Sequence, residues 1–180
     1  MRVIAGEFRS RRLKSLPGTR LRPTPDRLRE TLFDILAPRI EGATFMDAYA
    51  GTGAVGIEAL SRGAREAVFV EVSRAATDVL RENLKTLGLE TRAQVFSGKA
   101  LAVLERIKTD IVFLDPPYDR ETEYSAALAL LGAAPPPLAI VQHTVRLKLR
   151  DEYARLRRRR TVRQGDNALS FYAAAAVLES

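Results

Sequence analysis

Four consecutive residues, Asp115-Pro116-Pro117-Tyr118, follow the apolar run 111–114 and carry the most specific chemical signal in the chain. Each proline fixes its own φ angle and lacks a backbone N–H donor. The Asp115 carboxylate and the Pro116 carbonyl therefore remain as acceptors for the two N–H bonds of an exocyclic amine. Tyr118 adds an aromatic face on which a flipped-out base can stack, a contact worth about 1–3 kcal/mol. We interpret all four as catalytic residues that orient an amino nitrogen for attack on an electrophile.

A second motif, DAYAGTGAVG at residues 47–56, leads from an apolar run into a helical pattern. Its glycines match the G-x-G-x-x-G pattern of nucleotide-binding turns, in which the backbone approaches the ligand closely. Glu71 stands 20 residues after Gly51, at the end of the next apolar run, where it can accept hydrogen bonds from a ribose diol. These features leave two interpretations open, a nicotinamide dinucleotide and S-adenosylmethionine.

Asp47 favours S-adenosylmethionine. Its carboxylate can reach the cationic ammonium or sulfonium end of that molecule, directly or through water, whereas it would repel a pyrophosphate. We therefore expect S-adenosylmethionine as the cofactor. The predicted cofactor-binding residues are Asp47, Ala48, Gly51, Gly53, Glu71, Val72, Gly98, Lys99, Ala100 and Asp115.

The adenine side of this predicted site departs from a common pattern. Many methyltransferases place an acidic or amide residue after the third strand, but here the segment is Ser97-Gly98-Lys99-Ala100. Lys99 cannot accept a hydrogen bond from the adenine amine. We expect backbone N–H and C=O groups between Gly98 and Ala100 to contact the adenine instead.

The motifs are spaced by alternating strand and helix patterns. This alternation predicts an α/β fold with a doubly wound, Rossmann-like, mostly parallel sheet, whose ligands bind at the carboxyl ends of the strands. A closing antiparallel hairpin ends the chain. The predicted strands are 43–48, 67–71, 92–96, 111–114, 138–142, 161–163 and 169–174, and the predicted helices are 24–38, 54–60, 73–87, 99–107 and 121–131.

The first helix has a clear start signal and a predicted end. Thr24 can cap it, Pro25 suits its first helical position, and Pro38 is expected to end it. Arg27 and Arg29 lie outside its apolar stripe and are expected to face a ligand or solvent. The preceding residues form a short basic N-terminal arm, with possible strands at 3–6 and 12–14. We predict two units, an arm at 1–23 and a methyltransferase domain at 24–180.

The charge distribution suggests a polyanionic partner. Lys and Arg number 29 against 22 Asp and Glu, which gives a net charge of +7. The basic residues concentrate near the N-terminus and within 146–160, as expected for a protein that neutralises phosphates. A solvated basic surface or an adaptation to high temperature is the alternative. The predicted RNA-binding residues are Arg9, Arg11, Arg12, Arg22, Thr24 and Arg27.

Several classes of site and of protein are excluded or disfavoured. The chain has no cysteine and a single histidine, His143, so disulfides, thiolate metal sites and mechanisms that need two histidines are ruled out. We expect no metal, and a structural or substrate-lining role for His143. No apolar run has membrane-spanning length, and the first residues do not resemble a signal peptide. We expect a cytoplasmic monomer.

These motifs resemble those of class I methyltransferases that act on amino groups. More closely, almost the whole chain resembles the bacterial small-subunit ribosomal RNA guanine-N2 methyltransferases. The similarity runs through MRVIAG at 1–6, LRPTPDRLRETLF at 21–33, the glycine-rich turn, LDPPY at 114–118 and GDNALSFY at 165–172. It implies a guanine N2 amine as the target, in small-subunit rRNA that is assembled or partly assembled into the subunit. It also implies that the segment around Arg22, Thr24 and Arg27 lies near the cofactor and the target loop.

Three other functions stay open. The first is amino methylation of adenine N6 or of a protein glutamine, although the glutamine enzymes usually carry Asn in place of Asp115. A nicotinamide-dependent oxidoreductase is the second, and it gives residues 115–118 no role. The third is a non-catalytic RNA-binding assembly factor.

Overall fold

A computed structural model describes residues 1–16, 25–117 and 120–175 of the chain. Within these residues a single sheet contains eight strands in the order β3-β2-β1-β4-β5-β8-β7-β6. The strands are β1 Thr44–Asp47, β2 Glu66–Glu71, β3 Ala93–Ser97, β4 Ile111–Leu114, β5 Leu138–Thr144, β6 Glu152–Tyr153, β7 Leu156–Gln164 and β8 Asn167–Ala174. The helices are α1 Asp26–Ile40, α2 Ala54–Ser61, α3 Arg74–Leu87, α4 Ala100–Arg106 and α5 Glu121–Ala133, and one 3-10 turn covers Glu90–Arg92.

The sheet has a parallel half and an antiparallel half. Strands β1 to β5 are parallel, with β1 between β2 and β4. Strand β8 pairs antiparallel with β5, β7 with β8, and β6 with β7. The predicted doubly wound, mostly parallel sheet with an antiparallel C-terminal strand is confirmed. Because the order runs outward from β1 in both directions, the edge beside β1 and β4 is where such folds bind ligands.

Two apolar layers cover the faces of the sheet. One contains the buried residues of α1, α2 and α3, which pack on Phe45, Phe69 and Phe113. The other contains residues of α4 and α5 against Met46, Val68 and Leu114 and their neighbours. Side chains alternate between the two layers along each strand, since successive residues of a strand point to opposite faces.

Helix α1 differs from its prediction at both ends. Pro25, predicted at the first helical position, is the N-cap residue, and the helix begins at Asp26. It continues through Pro38 to Ile40, which is buried in the core. A proline in the last turn removes one backbone hydrogen bond, and burial of Ile40 offsets that loss. Arg29 was expected to face a ligand or solvent, but its side chain is fully buried. It donates to the Arg2 carbonyl oxygen at 2.7 Å and pairs with Asp26 at 3.0 Å.

The described part of the arm, residues 1–16, lies against α2. One antiparallel bridge joins Arg2 to Arg12, in place of the two short strands that we predicted. The buried Glu58 carboxylate accepts the N–H groups of Ile4 and Ala5, at 2.8 and 3.0 Å. A Cβ on Gly6 would lie 1.9 Å from the Ser61 carbonyl oxygen, so only glycine allows this approach. The separation of the arm from a domain at 24–180 stays a prediction.

Candidate active site

Two aspartates meet at the carboxyl edge of neighbouring parallel strands. Asp47 is the last residue of β1, and Asp115 directly follows β4. The register pairs Asp47 with Phe113, so Asp115 lies two residues beyond and on the same face of the sheet. The chain order alone predicted this meeting, and the structure confirms the adjacency of β1 and β4.

Asp47 is buried and holds the start of α2. Its Oδ2 accepts the N–H of Gly56 at 3.0 Å. Burial is the main cause that raises the pKa of Asp47, the backbone N–H groups of Gly56 and Tyr49 oppose the rise, and the charge of Glu71 adds to it, so that the pKa is about 7. Because both of these donors are backbone groups of the glycine-rich segment, Asp47 fixes the shape of the turn.

The four glycines near this turn have different physical roles. A Cβ on Gly53, whose φ is +93°, would lie 2.3 Å from Leu80 Cδ1. A Cβ on Gly56 would lie 2.3 Å from the Phe69 ring. Both residues therefore permit close packing inside the protein. Gly51 and Gly98 instead have no atom within 4 Å of an added Cβ, so open space lies beside them.

Glu71 closes the other side of this open space. Its Oε2 accepts the Gly51 N–H at 2.8 Å, and its Oε1 accepts the Ser73 N–H at 2.7 Å. Two charge-assisted hydrogen bonds hold the carboxylate in one orientation at the end of β2. Its remaining lone pairs can still accept hydrogen bonds from a diol, because an ionised carboxylate has about four acceptor positions.

The residues beside Glu71 suit a flat apolar ring. Val72 is the exposed large hydrophobic residue of the described chain, with 69% of its surface accessible. Lys99 is also exposed, while Ala100 is buried at the start of α4. The Gly98 N–H already donates to the Glu71 carbonyl at 3.0 Å. The expected backbone contact with adenine must therefore use other groups of residues 98–100.

The segment after β4 is held in place from α5. The buried Tyr124 hydroxyl donates to the Pro116 carbonyl at 2.9 Å. A carbonyl oxygen has two lone pairs, so the Pro116 oxygen keeps one for a second donor. Asp115 is partly accessible, Pro116 is buried and Pro117 is exposed. Low access to water, with the nearby Asp47 charge, raises the pKa of Asp115 to about 8. Tyr118 lies outside the described residues.

Sequence patterns did not identify Tyr124 or a second link between α5 and the turn. The Tyr49 hydroxyl donates to Glu123 Oε1 at 3.1 Å, which joins the glycine-rich segment to α5. Tyr124 and Glu123 are adjacent on that helix, so one helical turn positions both motifs. Neither residue belongs to a recognisable motif, and only the distance in the folded chain reveals these contacts.

The amino-acid sequence is similar to known proteins over most of its length. Residues 1–173 match the model of the family described as Conserved hypothetical protein 95. The chain belongs to this family. The protein YlbH of Bacillus subtilis is 40% identical over 136 residues, which cover 73% of each chain. Ribosomal RNA small subunit methyltransferase D of Escherichia coli is 45% identical over 122 residues, 67% of this chain but 61% of that protein. The sequence-based prediction of an rRNA methyltransferase family that uses S-adenosylmethionine is confirmed.

A solved structure agrees over a longer span. The protein yhhF of Escherichia coli is 37% identical, with a TM-score of 0.85 and 98% of each chain covered. Methyltransferases of this family and fold use S-adenosylmethionine, as the sequence predicted. The open space beside Gly51 and Gly98, the fixed Glu71 carboxylate, the exposed Val72 and the Asp47 carboxylate together fit that cofactor. Residues 47–53, 71–72 and 98–100 would hold it.

The predicted RNA-binding residues divide into two groups. Arg9, Arg11, Arg12 and Arg27 are exposed, and no ion pair joins them to another described residue. Arg22 and Thr24 lie outside the described residues. The Glu7 N–H donates to the Ser61 carbonyl at the end of α2. The glycine-rich turn lies at the other end of this helix, so the loop that carries Arg9 is about one helix length, roughly 12 Å, from the turn.

His143 joins three strands of the sheet. Its Nδ1 lies 2.8 Å from the Thr144 carbonyl oxygen and its Nε2 lies 2.8 Å from Ser170 Oγ, which contacts Thr161 Oγ1 at 3.1 Å. Burial lowers the pKa of His143, and the charge of Arg158 lowers it further. A neutral ring that donates from Nδ1 and accepts at Nε2 satisfies both contacts, so the residue has a structural role.

No helix among the described residues is both long enough and apolar enough to span a bilayer. Those same residues contain no group of three or more His, Cys, Asp or Glu side chains that could hold a metal ion.

Proposed function

We propose that this protein transfers a methyl group from S-adenosylmethionine to the exocyclic N2 amine of a guanine in small-subunit ribosomal RNA. The observation that carries the proposal is the position of Asp115 beside Asp47, with the Pro116 carbonyl fixed by Tyr124. The substrate class is taken from a relative, the small-subunit rRNA methyltransferase D of Escherichia coli. The guanine amine rests on the sequence resemblance.

Bound S-adenosylmethionine supplies an electrophilic methyl group on a sulfonium centre. Glu71 binds the ribose, and Val72 packs against the adenine. Asp47 keeps the glycine-rich turn in shape and presents negative charge toward the cationic end of the cofactor. Since Asp47 Oδ2 already accepts the Gly56 N–H, its contact with the cofactor uses a remaining lone pair or a water molecule.

Asp115 and Pro116 orient the target amine. One N–H donates to the Asp115 carboxyl group and the other to the free lone pair of the Pro116 carbonyl. The nitrogen lone pair then points along the line of attack, and much of the rate gain comes from orientation and electrostatics. The nitrogen loses its extra proton after transfer, so no general base has to act during bond formation.

The exposed cations of the arm and of α1 fit the phosphates of a large RNA. Arg9, Arg11, Arg12 and Arg27 lack acidic partners among the described residues and can neutralise phosphates. We extend the proposal to a cytoplasmic monomer that acts on an assembled or partly assembled small subunit. Arg22, Thr24 and Tyr118 belong to the proposed RNA and base contacts on the strength of the resemblance alone.

The test is transfer of a labelled methyl group to small ribosomal subunits from cells that lack the gene, followed by nucleoside analysis. Label in N2-methylguanosine supports the proposal. Label in a methylated adenosine or in protein overturns the assignment of guanine as the target. Binding of the cofactor without label on subunits, RNA or protein overturns catalysis and favours an assembly factor.

An Asp115→Asn variant locates the chemistry. We expect its turnover to fall by roughly 100- to 1,000-fold, with affinity for S-adenosylmethionine nearly unchanged. Asp110→Asn is the matched control, because Asp110 lies at the opposite end of β4 and bonds to Thr44. Loss of cofactor binding in Asp115→Asn would show that the carboxylate belongs to the cofactor site.

A further inference from the structure

A buried amide oxygen without a hydrogen-bond partner lies one strand away from the proposed catalytic aspartate. Gln142 is on β5 and is only 1% exposed. Its Oε1 atom accepts no hydrogen bond from any group of the described chain. An unpaired buried acceptor destabilises a folded protein, so its retention calls for an explanation.

The strand register places Gln142 beside Asp115. Strands β4 and β5 pair Leu114 with Val141, so the residues that follow them, Asp115 and Gln142, occupy the next position along this register, just beyond the paired segment. Neighbouring strands lie about 4.8 Å apart, a spacing that one purine base can bridge. Leu169, opposite Gln142 on β8, belongs to the apolar layer of α1, α2 and α3. Gln142 therefore shares its face with Asp47 and Asp115.

We propose that Gln142 recognises the Watson–Crick edge of the target base and selects guanine, an inference that rests on the function proposed above. When the N2 amine of guanine donates to Asp115, the neighbouring ring atom is N1, which carries a hydrogen. Gln142 Oε1 accepts that N1–H, and the amide nitrogen of the same side chain donates to O6. The acceptor that lacks a partner in the free protein is thereby satisfied.

Adenine does not satisfy this arrangement. With its N6 amine on Asp115, the neighbouring ring atom is an N1 lone pair, which would face the Gln142 oxygen. Two acceptors in contact without a hydrogen between them leave both unsatisfied, so the site rejects adenine. A site that hydrogen-bonds a specific polar group discriminates strongly against analogues that lack it.

The base 2-aminopurine separates recognition from reactivity. It keeps the 2-amino group of guanine but has a lone pair at N1 and no O6. Once the methylated nucleotide is mapped with the wild-type enzyme, small subunits are reconstituted with guanosine or with 2-aminopurine riboside at that position. We expect the wild-type kcat/KM to favour guanine by roughly 10- to 100-fold.

Gln142→Met removes both amide groups at similar volume. We expect kcat/KM on guanine to fall by roughly 10- to 100-fold and the preference over 2-aminopurine to vanish. Affinity for S-adenosylmethionine stays unchanged, and the unfolding midpoint stays the same or rises, because the variant removes an unsatisfied buried oxygen. Gln94→Met is the control, since Gln94 is exposed on β3 at the far end of the sheet, and it leaves every quantity unchanged.

The outcomes separate this inference from the proposed function. Wild-type label in any nucleoside other than N2-methylguanosine overturns the proposed function itself. Correct label with equal wild-type kcat/KM on the two bases overturns only the role of Gln142, and this result needs no variant. A preference that persists in Gln142→Met, or a lower unfolding midpoint of that variant, also overturns it.

Discussion

The Asp47 carboxylate accepts the backbone N–H of Gly56 at 3.0 Å, and a side chain of β1 thereby caps α2. The residue in the N-cap position of α2 is Gly53, which has no side chain to offer. Gly56 is the third residue of the helix, and its N–H is one of those that a helix leaves unpaired at its start. Cofactor site and helix cap therefore share one carboxylate.

Replacement of Asp47 is expected to lower stability as well as activity. Asp47→Ala leaves the Gly56 N–H unpaired and should reduce the free energy of unfolding by about 1–2 kcal/mol. Asp47→Asn keeps an acceptor oxygen and should lose less. Urea denaturation of both variants measures the difference. Equal stability of Asp47→Ala and the wild type would show that this hydrogen bond adds nothing to stability.

The raised pKa of Asp115 predicts a stability that falls as pH rises. Its pKa is about 8 in the folded protein against an ordinary 3.8, so the folded state binds more protons between these values. The protonated Asp115 makes its full contribution to the free energy of unfolding below about pH 4. That contribution is lost progressively as the pH rises to about 8. His143 acts in the opposite direction, because its lowered pKa makes stability fall when pH drops below about 6.5.

A difference measurement isolates Asp115 from His143. We expect Asp115→Asn to gain stability relative to the wild type as pH rises from 5 to 8, because the asparagine cannot ionise. Asp47, whose charge contributes to the raised pKa of Asp115, is left in place by this variant. Urea midpoints at several pH values provide the measurement. Parallel pH curves for the two proteins would mean that the Asp115 pKa is ordinary.

The sequence predicted correctly those helices and strands that are determined by residues close together in the chain. Ser73 accepts the Ala76 N–H at 3.3 Å and Gly88 adopts φ +66°, so both predicted ends of α3 are confirmed. The apolar run 111–114 matches β4 at both ends. The relation of Asp47, Glu71 and Asp115 also followed from chain order, since parallel strands bring their carboxyl ends to one edge.

Features that depend on contacts between residues far apart in the chain were predicted less well. Strand β7 begins at Leu156, five residues before its predicted start, because the run from Arg157 to Arg160 shows no apolar alternation. Pairing with the buried strand β8 makes this segment a strand. The burial of Arg29 depends on Glu58 and on the arm, which lie far from it in sequence. The partner of Pro116 and the unpaired oxygen of Gln142 likewise require the folded chain.

The two glycines with positive φ in the turn allow strain and steric overlap to be separated. Gly53→Ala forces φ +93° on an alanine and places its Cβ 2.3 Å from Leu80, so we expect a loss of about 2–4 kcal/mol in stability. At Gly51 the φ angle is +55° and an added Cβ meets open space, so we expect Gly51→Ala to lose only about 1 kcal/mol in stability. Thermal or urea unfolding compares them. Equal losses would indicate that Leu80 moves aside without cost.

Gly51→Ala also reports on the cofactor. Its added methyl group would enter the open space beside the turn, so we expect weaker binding of S-adenosylmethionine with most of the stability retained. Isothermal titration of the variant measures this affinity. Gly165→Ala is the control, since it has a similar φ of +59° and open surroundings in the turn between β7 and β8. Unchanged affinity in Gly51→Ala would place the cofactor elsewhere.

The exposed arginines of the arm are expected to act through charge. Replacing Arg9, Arg11 and Arg12 by Ala should weaken binding to small subunits and make its salt dependence shallower, because each lost phosphate contact releases about one counterion fewer. Cofactor affinity and stability should change little, since these three side chains form no ion pair with a described residue.

A matched triple variant distinguishes a local contact from the effect of net charge. Arg74, Arg81 and Lys85 are exposed on α3, and their replacement by Ala removes the same three charges. Salt dependence is measured as the slope of the logarithm of affinity against the logarithm of salt concentration. If the arm lies at the RNA interface, this slope becomes shallower by up to about three units for the arm variant alone. Identical slopes for the two triple variants would remove the arm from the interface and leave only the general attraction of a basic protein for RNA.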